Sequence, residues 1–239
     1  MKTVFKYFSR KDIKRGIKLP KSIDRKLAEF LGVLAGDGYV LRYAHHSGST
    51  EHMIGISGNS KKDKEYFQNI LLPLLKNLFN ISLKIGKHKN QNTIHIQFRS
   101  KGIVYYLESL GVNIGRKTNW SIPDIILKNS DLSRAYLRGI FDTDGCVSLK
   151  TYNHGYPVIK INQKSKQAIK QIERLLRELG FYFYVAYDVV TKDKRGFTSK
   201  GSSVYISGWK NLRRWVELIG SNNQRNLSKI NLALNMGRG

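Results

Sequence analysis

Two stretches of the sequence carry carboxylates where an apolar helix should not end. FLGVLAGDGYV, residues 30–40, and LRGIFDTDGCV, residues 137–147, each run from an apolar helical pattern into an aspartate and a glycine. Gly32, Asp37 and Gly38 recur as Gly139, Asp144 and Gly145 at one constant offset. A single Asp-Gly pair reads as a turn, but repetition at a fixed offset marks two copies of one motif. Gly32 and Gly36 stand four apart, as do Gly139 and Thr143, so each helix has a face of small side chains on which two backbones can approach closely. Packing the helices through these faces brings Asp37 and Asp144 together at their C-terminal ends. Those ends are the negative poles of the helix dipoles, so two anions gathered there require a cation. Carboxylate and carbonyl oxygens are hard donors that suit Mg²⁺ or a similar divalent ion such as Mn²⁺ or Ca²⁺.

The elements around the motifs repeat as well. MIGISGNSKKDKEYFQNILLPLLKNL follows the first and VIKINQKSKQAIKQIERLLRELG the second, each a β-like run leading into an amphipathic helix, with Ile56 and Ser60 matching Ile161 and Ser165. TIHIQFRS alternates Ile94, Ile96 and Phe98 with polar residues, and SSVYISG does so with Val204 and Ile206. Each half closes on a helix that stops at glycine, VYYLESLG and NLRRWVELIG. The expected fold is therefore α+β: two pseudo-symmetric αββαββα repeats, residues 25–129 and 130–239, whose motif helices pack at the repeat interface. Residues 1–24, basic and nearly free of acids, read as an N-terminal arm suited to lie on a polyanion.

Lys and Arg number 42 against 17 Asp and Glu, a formal net charge of +25 over 239 residues. Such an excess points to nucleic acid, and no apolar run reaches membrane-spanning length. One cysteine and six scattered histidines exclude an internal disulfide and a zinc-finger pattern.

With these residues in view, LRGIFDTDG and FLGVLAGDG resemble the LAGLIDADG motif, and two copies at matched spacing resemble the monomeric LAGLIDADG homing endonucleases. The resemblance implies a saddle of antiparallel strands over double-stranded DNA and a Mg²⁺-dependent double-strand cut that promotes intron homing. It implies metal binding by Asp37 and Asp144, with the Gly36 and Thr143 carbonyls as further ligands. Gln163, in INQKS, matches the glutamine that attends the attacking water, while the first repeat departs from the pattern with Gly58 in ISGNS. Basic partners after each closing helix are Lys117 (or Arg116) in NIGRKT and Arg225 in SNNQRN. Asp142, where the first motif has Ala35, reads as structural.

Base edges in the major groove are read by donor and acceptor side chains, so strand alternation nominates Gln97 and Arg99 in the first repeat and Lys150, Lys160 and Tyr205 in the second, and Arg42 is a further candidate at a position where the alternation is ambiguous. The basic stretch TKDKRGFTSKGSS suits a hairpin that orders on phosphates. The rival reading is an RNA-splicing maturase with the same fold, acting on its own intron RNA with or without DNA cleavage. No self-splicing blocks accompany the repeats, which favours a free-standing, intron-encoded monomer. The compartment is expected to be intracellular, either prokaryotic cytoplasm or an organelle.

Overall fold

A computed structural model describes residues 7–46, 48–87, 91–150, 155–192 and 196–236, with the Lys150 side chain left out. In the first half, α1 (Arg10–Lys14) precedes α2 (Arg25–Ala35), β1 (Gly38–Ala44) and β2 (Thr50–Asn59). Then come α3 (Lys64–Tyr66), a π turn (Phe67–Leu71), α4 (Leu72–Phe79), β3 (Gly86–Lys87), β4 (Thr93–Arg99) and α5 (Lys101–Ser109). A 3₁₀ turn (Lys117–Asn119) and α6 (Asp124–Leu127) lead to the second half. It runs α7 (Ser130–Asp144), β5 (Gly145–Lys150), β6 (Tyr156–Gln163), α8 (Lys166–Glu178), β7 (Tyr184–Lys192), β8 (Thr198–Ser207), α9 (Trp209–Leu218) and α10 (Gln224–Met236).

The two halves repeat one topology. Each has a four-stranded antiparallel sheet, ordered β1-β2-β4-β3 and β5-β6-β8-β7. In each, the motif glycine starts the first strand opposite an isoleucine, Gly38 against Ile56 and Gly145 against Ile161, as the sequence alignment of those isoleucines requires. Val40, Ile54, Ile56, Ile96 and Phe98 bury one face of the first sheet; Val147, Ile159, Ile161, Val204 and Ile206 bury the equivalent face of the second. The alternate residues lie on the face that the helices leave uncovered. No helix among the described residues is long and apolar enough to cross a membrane.

Both motif helices begin on side-chain caps. The Asp24 carboxylate accepts from Leu27 N at 2.9 Å, and the Asn129 amide oxygen accepts from Asp131 N and Leu132 N at 3.0 and 3.1 Å. Their contact is close enough to exclude side chains at its centre. A Cβ on Gly32 would collide with the Tyr136 carbonyl oxygen, and one on Gly139 with that of Glu29. These clashes are images of one another under the repeat offset, so the packing is pseudo-twofold. A Cβ on Gly36 would overlap the Thr143 side chain, which completes the small-residue face expected from the sequence.

Two features depart from the sequence reading. The amphipathic run after β2 contains a π turn in place of an unbroken α-helix: Pro73 has no N–H to give, and Leu72 N reaches back to the Phe67 carbonyl. Residues 7–24 do not form a free arm. Asp12 is fully buried, closes a capping box with Ser9 and accepts from Gly102 N at 3.2 Å. Ile17 joins the core, and Tyr7 stacks on Tyr105 of α5 at 4.2 Å between ring centroids. The basic composition of this segment hides one acid and one apolar anchor that dock it on the first repeat. Asp12→Ala is expected to lower stability by about 2–3 kcal/mol, because Gly102 N is left buried without its acceptor. Urea unfolding would measure it, and a change within about 0.5 kcal/mol, typical of an open surface, would contradict the docking.

Candidate active site at the helix seam

Asp144 is the last residue of α7, and Asp37 lies just past the end of α2. Because the helices cross so closely, both carboxylates reach one pocket of about 590 Å³, lined also by Gly36, Arg116, Lys117, Asn162, Gln163 and Lys164. The structure therefore brings Asp37, Asp144, Gln163 and Lys117 together, with Arg225 on the other flank of the seam. Gln163, buried at the end of β6, donates from Nε2 to Asp144 Oδ2 at 2.6 Å.

Two cationic side chains sit on the helix ends. Lys117 Nζ donates to the Ala35 carbonyl at 3.1 Å and also to that of Gly36. Arg225 Nη2 donates to the Thr143 and Asp142 carbonyls at 3.2 and 3.4 Å. Each comes from the segment after its repeat's closing helix and caps the negative end of that repeat's own motif helix.

The charges strain against each other. Burial, then the neighbouring Asp144 and Asp63 carboxylates, push Asp37 up to about 7, against the pull of Lys117 and Arg225. Burial also raises Asp144, although Lys117 and the Gln163 hydrogen bond hold it down, and burial lowers Lys117 while the two aspartates raise it. Internal cations thus leave the aspartate pair undercompensated, as expected of a site that receives a further positive charge. Among the described residues no cluster of three or more His, Cys, Asp or Glu stands ready for a metal. The donor set fits a hard divalent ion by type, two carboxylates and two helix-end carbonyls, but an ion here needs additional oxygens from a ligand.

The segment carrying Arg225 is anchored by residues that local patterns do not single out. Asp142, fully buried, accepts from Asn222 N at 2.8 Å and from the Ser221 hydroxyl. Burial pushes it up to about 7, and it is structural, as the alanine at the matching position of the first motif suggested. Asn223 Nδ2 donates to the Asp142 carbonyl at 2.8 Å, and Asn222 Nδ2 to Glu29 Oε1 at 2.6 Å. Asp63, buried at the start of α3, pairs with Arg225 at 3.2 Å across the repeats. The amide run SNNQRN was the available signal, since amides after a helix stop can satisfy free carbonyls.

The uncovered sheet faces hold most of the proposed recognition residues. Gln97 and Arg99 are exposed on β4, where Gln97 Oε1 accepts from the Tyr39 hydroxyl at 3.1 Å and Arg99 pairs with Glu51. On the second sheet Lys160 Nζ lies over the Tyr205 ring, 5.3 Å from its centroid. Cys146 shares that face, directly opposite Lys160 in the ladder. Arg42 is placed differently. It follows the buried Val40 by two, so it turns to the helix side, where it forms a bidentate pair with Glu108 of α5 at 2.7 and 2.9 Å. Lys150 ends β5, with its side chain outside the described residues. Of the basic hairpin, residues 193–195 also lie outside them.

Residues 131–220 match the LAGLIDADG-like domain family. Most of the chain has the fold of solved LAGLIDADG proteins. I-DmoI, in a crystal structure with DNA and Ca, is 19% identical with a TM-score of 0.61, over 87% of this chain and 97% of that one. The I-LtrWI LAGLIDADG homing endonuclease bound to target DNA is 13% identical with a TM-score of 0.60, over 91% and 92%. In its second half and in its fold, the chain is similar to LAGLIDADG proteins. Among curated proteins it is 24% identical over 93% of its length to a glutamine–fructose-6-phosphate aminotransferase of Methanocaldococcus jannaschii. It is 28% identical over 87% of its length to a component of the A-type ATP synthase of Pyrococcus abyssi. The chain spans less than a fifth of the length of either, 19% and 18%.

Proposed function

We propose that this protein is a site-specific, metal-dependent homing endonuclease that makes a double-strand break in a long, partly palindromic DNA target. The observation that carries the reading is the convergence of Asp37 and Asp144 on one seam pocket between two sheets, in a chain of net charge +25. The curated relatives support it from another side. An aminotransferase and an ATP synthase share no chemistry, so a segment similar in both carries an activity of its own.

A divalent ion, Mg²⁺ first among them, held by Asp37 and Asp144 with the Gly36 and Thr143 carbonyls, would supply Lewis acidity and polarise the attacking water. Gln163 orients the Asp144 carboxylate and offers its amide oxygen to that water. Lys117 and Arg225 leave the helix-end carbonyls to stabilise phosphate oxygens as charge develops on them. Gln97, Arg99, Lys160 and Tyr205 present donors and a ring to the groove, and Lys150 extends β5 toward the same duplex. Two half-sites on successive turns, roughly 34 Å apart, match two sheets related by a pseudo-twofold, and one chain carries both.

The test is incubation with Mg²⁺ or with EDTA on a duplex that joins the sequences flanking this coding segment in its own genome, followed by sequencing of new ends. Paired, metal-dependent ends are expected. Tight binding to the intron transcript without any cut would replace this reading with the maturase.

The single cysteine gives an assay independent of cleavage. If DNA lies on the uncovered faces, that duplex should slow maleimide alkylation of Cys146 by about tenfold or more, as burial of a thiol does. An unchanged rate in the presence of saturating, bound DNA would place the duplex elsewhere.

A further inference from the structure

The segment before the first motif keeps a cationic surface after it docks. The hydrogen bond from Gly102 N to the Asp12 carboxylate brings their chain neighbours Lys101 and Lys11 to one cleft of about 540 Å³ at the outer end of the first sheet. Arg15 lines it too. Its Nη2 donates to Asp12 Oδ1 at 3.1 Å and also to the Arg99 carbonyl, which ties α1 to the end of β4. The Arg99 side chain is exposed on the uncovered face and lines the same cleft. The cleft is therefore continuous with the face read above as the DNA surface.

The charges in this cleft are unevenly matched. Asp12 compensates Arg15. Glu51, the carboxylate of the lining, is taken up by Arg99, by His45 at 2.9 Å and by the Tyr43 hydroxyl at 3.0 Å. Lys11 and Lys101 meet no carboxylate among the described residues, and Lys101 Nζ lies over the Tyr105 ring, 5.8 Å from its centroid. His52 also lines the cleft. It is 8% exposed, and its Nε2 has no hydrogen-bond partner among the described residues. Burial lowers its pKa and the Lys101 ammonium lowers it further, as a positive local field does. Two unmatched ammonium groups beside an unsatisfied ring nitrogen suit an anion with several oxygens.

Position identifies the anion. β4 runs outward from the seam, where Thr93 faces Asn59, to Arg99, about 20 Å away at the rise of a strand. A duplex laid along the sheet advances about six base pairs over that length, at about 3.4 Å per pair. The cleft thus meets the duplex where readout by β4 ends, and there the backbone offers phosphate oxygens whatever the base sequence.

We propose that the cleft grips backbone phosphates of the duplex just beyond the bases read by the first sheet, so that residues 9–15 form a sequence-independent clamp at one end of the target. The inference rests on the reading of the uncovered faces as the DNA surface. The docked segment precedes both repeats and occurs once, so the other end of the target is not held in this way.

The experiment measures the affinity of the full chain in EDTA for the flank-joining duplex, intact and shortened stepwise from either end, over a range of salt. Shortening one end past the sheet should weaken wild type by about tenfold or more. Lys11→Met with Lys101→Met, which keeps the aliphatic stems, should weaken binding to the intact duplex by a similar factor. Loss of two phosphate contacts should lower the slope of log affinity against log salt by about 1.8. On the shortened duplex this variant should bind like wild type, and its cutting of saturating intact duplex in Mg²⁺ should stay within about twofold. Lys14→Met with Lys18→Met removes the same charge from exposed positions outside the lining and should leave both affinities within about twofold. Thermal melts check that each variant is folded. Equal losses on intact and shortened duplexes, or equal losses from the two lysine pairs, would reduce Lys11 and Lys101 to general surface charge and overturn the clamp. An intact-duplex affinity unchanged by Lys11→Met with Lys101→Met would do the same, and in each case cutting by wild type keeps the endonuclease reading. A wild type that neither binds nor cuts the duplex would overturn that reading and the clamp with it.

Discussion

Asp37→Asn is expected to raise the stability of the metal-free protein at pH 8 while abolishing double-strand cleavage. The two effects have one origin. In the folded protein the Asp37 carboxyl is pushed from its ordinary 3.8 up to about 7 by burial and by Asp144. Between those values the native state holds a proton that the unfolded chain has released, so stability falls as pH rises through that window and the full cost is present above it. Asparagine has no charge to bury and removes the cost. After allowance for the partial exposure of the site, the gain at pH 8 is about 1–3 kcal/mol. At pH 4 the carboxyl is neutral in the native state and the substitution should be nearly silent. The same charge is the one that would hold the divalent ion, so cutting should fall about 1,000-fold or more, several kcal/mol of transition-state stabilisation. Thermal melts at pH 4 and pH 8 in EDTA, beside a cleavage time course, test both parts. A variant less stable than wild type at pH 8, or one that still cuts both strands at the wild-type rate, would show that Asp37 is an ordinary helix-end residue. A gain in stability coupled to loss of chemistry distinguishes a strained functional carboxylate from a structural one.

Legibility of the molecule in its sequence followed the range of the interactions. Asp37, Asp144, Gly32 and Gly139 were readable because the motif occurs twice, and their helical spacing already implied which faces meet. The strands were readable where one face is apolar, as in Ile94, Ile96 and Phe98. Arg42 was misplaced because β1 leaves the core after Leu41: Arg42, Tyr43 and Ala44 are all exposed, so the contrast between faces that alternation needs is lost there. Asp12 was lost in a basic segment, since one buried acid leaves no trace in net charge. The pairing of Asp63 with Arg225 joins different repeats through an irregular connection, and no local period encodes it. The sequence already placed Gly58 opposite Gln163, but the reason for it, the Phe67 ring that a Cβ there would meet at 2.7 Å, needed three dimensions.

The glycines at the crossing permit a second prediction with a large effect. Gly139→Ala adds one methyl group and removes a poor helix former, which by propensity alone stabilises α7 by about 1 kcal/mol. Sterics oppose this more strongly. The new Cβ would collide with the Glu29 carbonyl oxygen and stand 2.9 Å from Val33 N, backbone atoms that cannot rotate away. Relief comes only by moving α2 and α7 apart along a contact packed on both sides, for which overpacking of about 1–3 kcal/mol is a lower bound. A net loss of about 2–4 kcal/mol is expected, and Gly32→Ala should cost the same because its clash with the Tyr136 carbonyl is the pseudo-symmetric equivalent. The double variant then discriminates. If both substitutions act by separating the same two helices, the first already opens the gap that the second needs, and the pair should cost clearly less than the sum, with a coupling of about 1 kcal/mol or more. Strict additivity in urea unfolding would mean that each glycine is required by its own helix rather than by the crossing. The same separation would draw Asp37 away from Asp144, so either single variant should lose cleavage activity even at temperatures where it remains folded.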